Sequence, residues 1–300
     1  MRCGYSGRTV DTKFITPTLR ELGLPCMKES GWLSRTLEIN EPYDKNYPGK
    51  IRTGRKVFLS LIDFIQNNPN RSEDVVERIL FLLNNIKDKN KIVLKPLKNP
   101  EILSVNQIIN SLDGLLKKRY KSFGGAKLPV LAVYAVLKVL IKETKKYENS
   151  FLKNLGSHTS SDAKSKSSGD IEIFKKEELL ESFEIKLNVL VDINLIRSVR
   201  EKIYLHNPKK YYILSEKFDE KNREEIFELI SKIKLEHGCE IYIDEPLKLI
   251  KRFLLLINKL DSYITIFNSL VSSDTELKIE HKEYWQTIYE DINQSLNLSI

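Results

Sequence analysis

Between residues 57 and 148 apolar positions recur every three or four residues, the spacing of helices that bury one face. VFLSLIDFIQN (57–67), SEDVVERILFLLNNIK (72–87) and SVNQIINSLDGLLKKRY (104–120) each predict an amphipathic helix, with Ser72 and Ser104 placed as N-caps. The next segment, KLPVLAVYAVLKVLIKETKKYE (127–148), comes after Gly124 and Gly125, has Pro129 in its first turn and is apolar nearly all round in its first half. A helix with so little polar surface is expected to lie buried against a sheet.

At residue 171 the period changes to two. IEIF (171–174) and SFEIKLNVLV (182–191), separated by the short polar stretch KKEELLE, predict paired strands. A helix (193–206), a strand (211–216), a helix (220–237) closed by Gly238 and a strand (239–245) come next, which makes a sheet covered by helices. Beyond Pro246, KLIKRFLLLINKLDSYITIFNSLV and HKEYWQTIYEDINQSL predict further amphipathic helices. GSHTSSDAKSKSSGD (156–170), almost all small and polar, reads either as a flexible linker or as a loop at the sheet edge that offers hydroxyl and amide donors to a phosphate.

Composition narrows the class. With 300 residues, 41% of them apolar and 30% charged, the chain is long enough for one large domain or two modest ones and is neither a disordered polyelectrolyte nor a membrane protein. Cys3, Cys26 and Cys239 are too few and too scattered for a disulfide framework or a cysteine-based zinc site, which favours a reducing cytoplasm. MRCGYSGRTVDTKF lacks the apolar core of a signal peptide, and LPVLAVYAVLKVLI (128–141) is shorter than the ~20 residues that span a bilayer.

Charge adds a partner. Residues 1–70 hold 11 Lys/Arg against 7 Asp/Glu and residues 91–170 hold 15 against 6, whereas residues 171–300 hold 19 against 24. Basic groups gathered in this way suit a polyanion, because each neutralised phosphate releases condensed counterions; a solvated lysine-rich surface explains the same count.

Metal-assisted cleavage of a phosphodiester needs acidic oxygens around a divalent ion and a cation near the attacking water. An acid two residues before a lysine on a strand supplies part of this, since positions i and i+2 share a face. Seven Asp/Glu-x-Lys triplets occur: Asp11/Lys13, Glu143/Lys145, Asp162/Lys164, Glu184/Lys186, Asp219/Lys221, Glu276/Lys278 and Glu280/Lys282. Glu184/Lys186 stands apart because it lies in a strand whose alternate residues Phe183, Ile185 and Leu187 form an apolar face. Asp170, after Gly169 at the start of the preceding strand, comes beside Glu184 if the two strands form a hairpin. A solvent-exposed strand face with chance charges is the competing explanation, and Glu172 is expected to be an exposed strand residue rather than an additional acid.

The order of elements and the residues SGDIEIF and SFEIK resemble the PD-(D/E)XK nucleases, with Gly169 in place of the proline of that name. Five blocks, GYSGRTVDTKFITPTL (4–19), KESGWLSRTLE (28–38), YPGKI (47–51), SHTSSDAKSKSSGDIEIF (157–174) and FEIKLN (183–188), together resemble type II restriction endonucleases of the SacI family. The first block begins almost at Met1, consistent with a missing upstream segment. The resemblance implies an α/β PD-(D/E)XK core, a mixed sheet flanked by helices, with helical N- and C-terminal parts. It implies that Asp170, Glu184 and the backbone carbonyl of Ile185 hold Mg2+ and that Lys186 orients and helps deprotonate water. It also implies that the loop 157–170 approaches the active site, and that a methyltransferase protects host DNA.

Three regions are expected: a mostly helical DNA-recognition region (1–122), the nuclease core (123–246) and C-terminal helices on the core or at a dimer interface (247–300). DNA contacts are expected from Arg8, Lys13, Trp32, Arg35, Lys50 and Arg52, in an N-terminal stretch of little helical periodicity, and from His158 and Asp162 in the loop. Core packing of Trp32 and pairing of the arginines with Glu29 and Glu38 is the alternative. A palindromic duplex offers two equivalent phosphates and the chain one constellation, so a homodimer is expected. A catalytically silent DNA-binding protein and a repair or RNA-processing nuclease without a fixed target are the competing functions.

Overall fold

The alternation beginning at residue 171 forms the middle of a five-stranded mixed sheet in the computed structural model, which describes residues 7–25, 44–47, 51, 54–89, 92, 94–155 and 167–298. The chain divides into two compact units, Met1–Lys91 and Ile92–Ile300.

In the first unit α1 (Gly7–Val10), a π-helical run Asp11–Ile15 and α2 (Thr16–Glu21) succeed one another without a break, where little helical periodicity was expected. The junction is held from within: the buried Asp11 carboxylate accepts a 2.8 Å hydrogen bond from the Thr16 hydroxyl, and Pro17 sits at the start of α2, where its missing N–H costs nothing. Helices α3 (Arg55–Asn67) and α4 (Ser72–Lys89) match the apolar spacing. Ser72 does not cap; its hydroxyl donates to the carbonyl of Pro69 at 2.8 Å, in the 3-10 turn Pro69–Arg71.

In the second unit Ser104 caps α5 (Val105–Lys117) as expected, within a reciprocal capping box with Gln107. α5 packs with later helices of the second unit, which begins at Ile92. Helix α6 (Lys127–Glu143) is buried from Lys127 through Leu137 and again at Val139 and Leu140. It stops short of residue 148, and the 3-10 turn Lys145–Tyr147 leads into β1 (Ser150–Leu152), a strand too short to show a period in sequence.

β2 (Ile171–Lys175) and β3 (Glu178–Ile185) form a hairpin about Lys176 and Glu177, so β3 takes in most of the polar stretch read as a connection and ends earlier than residue 191. Leu190–Val191 is a separate strand, β4, paired with β6 (Lys217–Phe218). α7 (Ile193–His206), capped by Asp192, crosses to β5 (Lys210–Leu214), and α8 (Arg223–His237) crosses to β7 (Glu240–Asp244). The order is β1-β2-β3-β5-β7, with antiparallel pairing up to β3 and parallel pairing from β3 onward. Parallel neighbours require these helical crossovers.

One sheet face carries Ile171, Ile173, Phe183, Ile185, Tyr212 and Leu214 into the core with α6. The other carries Tyr211 and Ile213 into a core with Ile196, Val199 and Ile203 of α7 and Ile226 and Ile233 of α8. Each such aliphatic or aromatic side chain contributes about 1.5–3 kcal/mol on full burial. Helices α9 (Pro246–Leu254), α10 (Leu260–Ser273) and α11 (Ile279–Leu298) share the α6 core, and α9 and α10 pack directly on α6. Among the described residues no helix is long and apolar enough to cross a membrane.

Candidate active site

The carboxyl ends of β3, β5 and β7 lie at one end of the sheet, the place where open α/β sheets bind ligands. β2 runs the other way, so its first residues arrive at the same end. This antiparallel step brings Asp170 to Glu184: the Asp170 N–H donates to the Phe183 carbonyl at 2.8 Å, and the Asp170 Oδ2 accepts from the Ile185 N–H at 2.8 Å.

Glu184 is 2% exposed, which excludes the solvent-facing strand as the reason for its charge. Its Oε1 lies 2.9 Å from the Lys186 ammonium, and its Oε2 lies 2.9 Å from that of Lys202. The Tyr211 hydroxyl is 3.3 Å from the same Oε2 and donates at 2.7 Å to the Ser168 carbonyl. Burial, then the charge of Glu184, pushes the Asp170 carboxyl up to about 6, against the Ile185 N–H and the charges of Lys186 and Lys202, which lower it.

The turn before Asp170 is fixed from several sides. At Gly169 a Cβ would stand 2.6 Å from the Phe183 carbonyl oxygen and 2.7 Å from the Ser182 Oγ, so glycine is required where the family name has proline. The Ser168 N–H donates to the Glu172 carboxylate at 2.6 Å, and Lys153 pairs with the other oxygen of Glu172. Glu172 is thus buried, at 3% exposure, rather than the exposed strand residue expected: the Ser168 turn and Lys153 close over it. Residues 167–170 of the small, polar segment belong to this site; residues 156–166, with His158 and Asp162, lie outside the described residues.

The structure therefore brings together Asp170, Glu184, Ile185 and Lys186. Of the expected DNA contacts, Lys13 is exposed on the π-helical run and Arg8 lies in α1, its side chain outside the described residues, as are Trp32, Arg35, Lys50 and Arg52 altogether. Lys202 and Tyr211 were missed. Lys202 sits sixteen residues past Lys186 on a crossover helix and carries no spacing signal, whereas Tyr211 was legible only as a strand residue.

Among the described residues no three His, Cys, Asp or Glu side chains converge as a metal site. The donor set that is present, two neighbouring carboxylates whose repulsion raises one of them, is hard and anionic and fits a divalent ion that keeps several of its waters.

A five-stranded mixed sheet flanked by helices, with acids and lysines at the carboxyl end of a central parallel strand, is compatible with a nuclease-like fold. Residues 101–213, just over a third of the chain, match the family model of the SacI restriction endonuclease C-terminal domain, the family that the blocks 157–174 and 183–188 within that span resemble in sequence. The match supports a restriction-endonuclease function and spans Asp170, Glu184, Lys186, Lys202 and Tyr211. No curated protein matches the chain.

Proposed function

We propose that the protein is a type II restriction endonuclease with a PD-(D/E)XK core that hydrolyses double-stranded DNA at a specific, short, palindromic site. The observation that carries this is the convergence of Asp170, Glu184 and Lys186 at the end of β3, inside the segment that matches the restriction-endonuclease domain.

In this reading Asp170, Glu184 and the Ile185 carbonyl hold magnesium, which supplies Lewis-acid stabilisation of the charge that grows on the scissile phosphate. The protein's own groups do the positioning. The Ile185 N–H fixes the Asp170 carboxylate; Lys186, Lys202 and Tyr211 fix that of Glu184. Lys186 orients the attacking water and stabilises the developing hydroxide as its proton passes to bulk water, which in turn protonates the departing oxygen. The water oxygen bonds to phosphorus, one P–O ester bond breaks, and the departing oxygen takes up a proton. The N-terminal region provides sequence recognition, with Arg8, Lys13, Trp32, Arg35, Lys50 and Arg52 as its contacts, and the loop adds His158 and Asp162. The working form is a cytoplasmic homodimer accompanied by a methyltransferase of the same specificity.

Long duplex DNA incubated with magnesium should give discrete fragments; a smear, or intact DNA, overturns the reading. Lys186→Ala should abolish cleavage while DNA affinity stays within about tenfold, a change of roughly 1.4 kcal/mol. Near-normal cleavage by that variant removes Lys186 from the site.

A further inference from the structure

Lys153 apart, the site described above uses none of the basic residues described in 91–170, and four of the fifteen in that stretch sit in one segment. Lys117, Lys118, Arg119 and Lys121 fall within five residues between α5 and α6, and Phe123, shortly after them, is 94% exposed. The segment is held in place. The Glu280 carboxylate accepts the N–H groups of Lys121 and Ser122 at 3.1 and 3.0 Å and the Ser122 hydroxyl at 2.7 Å. Lys118 lies over the Tyr284 ring at 3.4 Å. Gly124 has a φ of 115°, and a Cβ there would stand 2.6 Å from the Glu276 carbonyl oxygen, so the turn accepts only glycine. A turn fixed by three hydrogen bonds to one carboxylate that nevertheless aims a phenylalanine at water is built to present it.

Its place in the fold is equally specific. α6 passes at its carboxyl end into β1, whose Ser150 pairs with Lys175 at the end of the sheet where β3 begins. The amino end of α6, and the basic segment before it, therefore lie toward the opposite end, where β3 finishes at Ile185. Lys117 is consistent with this: Asp113, and after it Glu216, hold its pKa above the usual lysine value, and the Glu216 N–H donates to the Leu187 carbonyl at 3.3 Å, one residue past Lys186.

We propose that Lys117–Phe123 is a duplex-DNA contact element of the second unit, in which Arg119 and Lys121 neutralise phosphates and Phe123 packs on a sugar or an opened base step beside the cleavage centre. Arg119 and Lys121 form no ion pair among the described residues, and exposed cations next to an exposed aromatic ring match the charge and the apolar surfaces of an opened duplex. The assignment deepens the nuclease reading and rests on it.

A labelled 30-base-pair duplex, titrated in calcium at several salt concentrations, tests it. Arg119→Ala/Lys121→Ala should reduce the slope of log K against log salt by about 1.8, or about 0.9 for each lost phosphate contact, and Arg119→Lys/Lys121→Arg should restore it. Phe123→Ala should weaken binding about tenfold with the slope unchanged. All three side chains are outside the core, so melting temperatures should match the wild type. Wild-type slope and affinity in both alanine variants return the segment to ordinary solvation and leave the nuclease reading standing. A wild type that binds no duplex overturns both, and tighter binding of single strands than of duplex overturns the duplex assignment.

Discussion

A carboxyl group whose pKa is higher in the folded chain than in the unfolded one favours the fold while it is protonated. Asp170 is in this position, since burial and the charge of Glu184 raise it from 3.8 to about 6. Its contribution is complete below pH ~3.8, declines as the pH rises, and is lost above about 6. Asp170→Asn keeps an acceptor for the Ile185 N–H and never ionises. In metal-free protein the variant should melt with the wild type near pH 4 and increasingly above it as the pH approaches 6, levelling off at roughly 1–3 kcal/mol of extra stability. Melting curves from pH 4 to 8 in chelator check this, and a difference that does not change with pH refutes the buried, repelled carboxyl. The same variant should not cleave DNA, because an amide cannot supply an anionic ligand. Gly169 is bound to the same geometry: the glycine that permits the turn's approach to Phe183 also places Asp170.

Among the elements, those that declare themselves by period or cap were legible. Ser104 marked the start of α5, where the structure adds Gln107 as its reciprocal partner, and the continuous apolar run of α6 announced a buried helix. Asp192 and Asn207 bracket α7 at the limits expected from the sequence, 193–206. Within the site, Glu184 and Lys186 were legible because an apolar alternation isolates them, and Asp170 because a hairpin returns it to them. Lys202 was not, since its approach to Glu184 depends on how α7 docks on the sheet, a tertiary fact with no local pattern. Glu172 was misjudged for the same reason: alternation gives the face of a strand but not the groups that cover that face. The Lys202 ion pair also ties α7 to β3. Its side chain is 14% exposed and that of Glu184 3%, so removing the lysine leaves a buried carboxylate with only part of its compensation. Lys202→Met should cost about 1–3 kcal/mol in chemical denaturation and slow cleavage at least tenfold, by loosening the Glu184 carboxylate. Unchanged stability together with unchanged cleavage would show that Lys186 and Tyr211 suffice to hold it.

For the whole molecule the proposed reading turns on one such constellation among the described residues of each chain. Asp170, Glu184 and Lys186 can act on one phosphodiester at a time, whereas a cut duplex needs two, and in a palindrome the two are related by a dyad. Two copies of the chain meet that demand with the same site used twice. The C-terminal helices, expected on the core or at a dimer interface, turn their apolar clusters inward: Leu254, Ile257, Ile264 and Phe267 are buried in the core shared with α6, and Phe253, Leu260 and Leu270 pack against it. In the proposed dimer the interface would therefore use other surface, and it need not be hydrophobic, because DNA spanning both subunits would add its own contacts to the assembly. Sedimentation in calcium with a duplex that carries the site should give two chains per duplex. Supercoiled plasmid with magnesium should pass to linear product without accumulating the nicked circle, since both strands are cut in one encounter. One chain per duplex, with nicked circle as the main product, would refute the dimer and shift the reading to a nuclease that acts on single strands during repair.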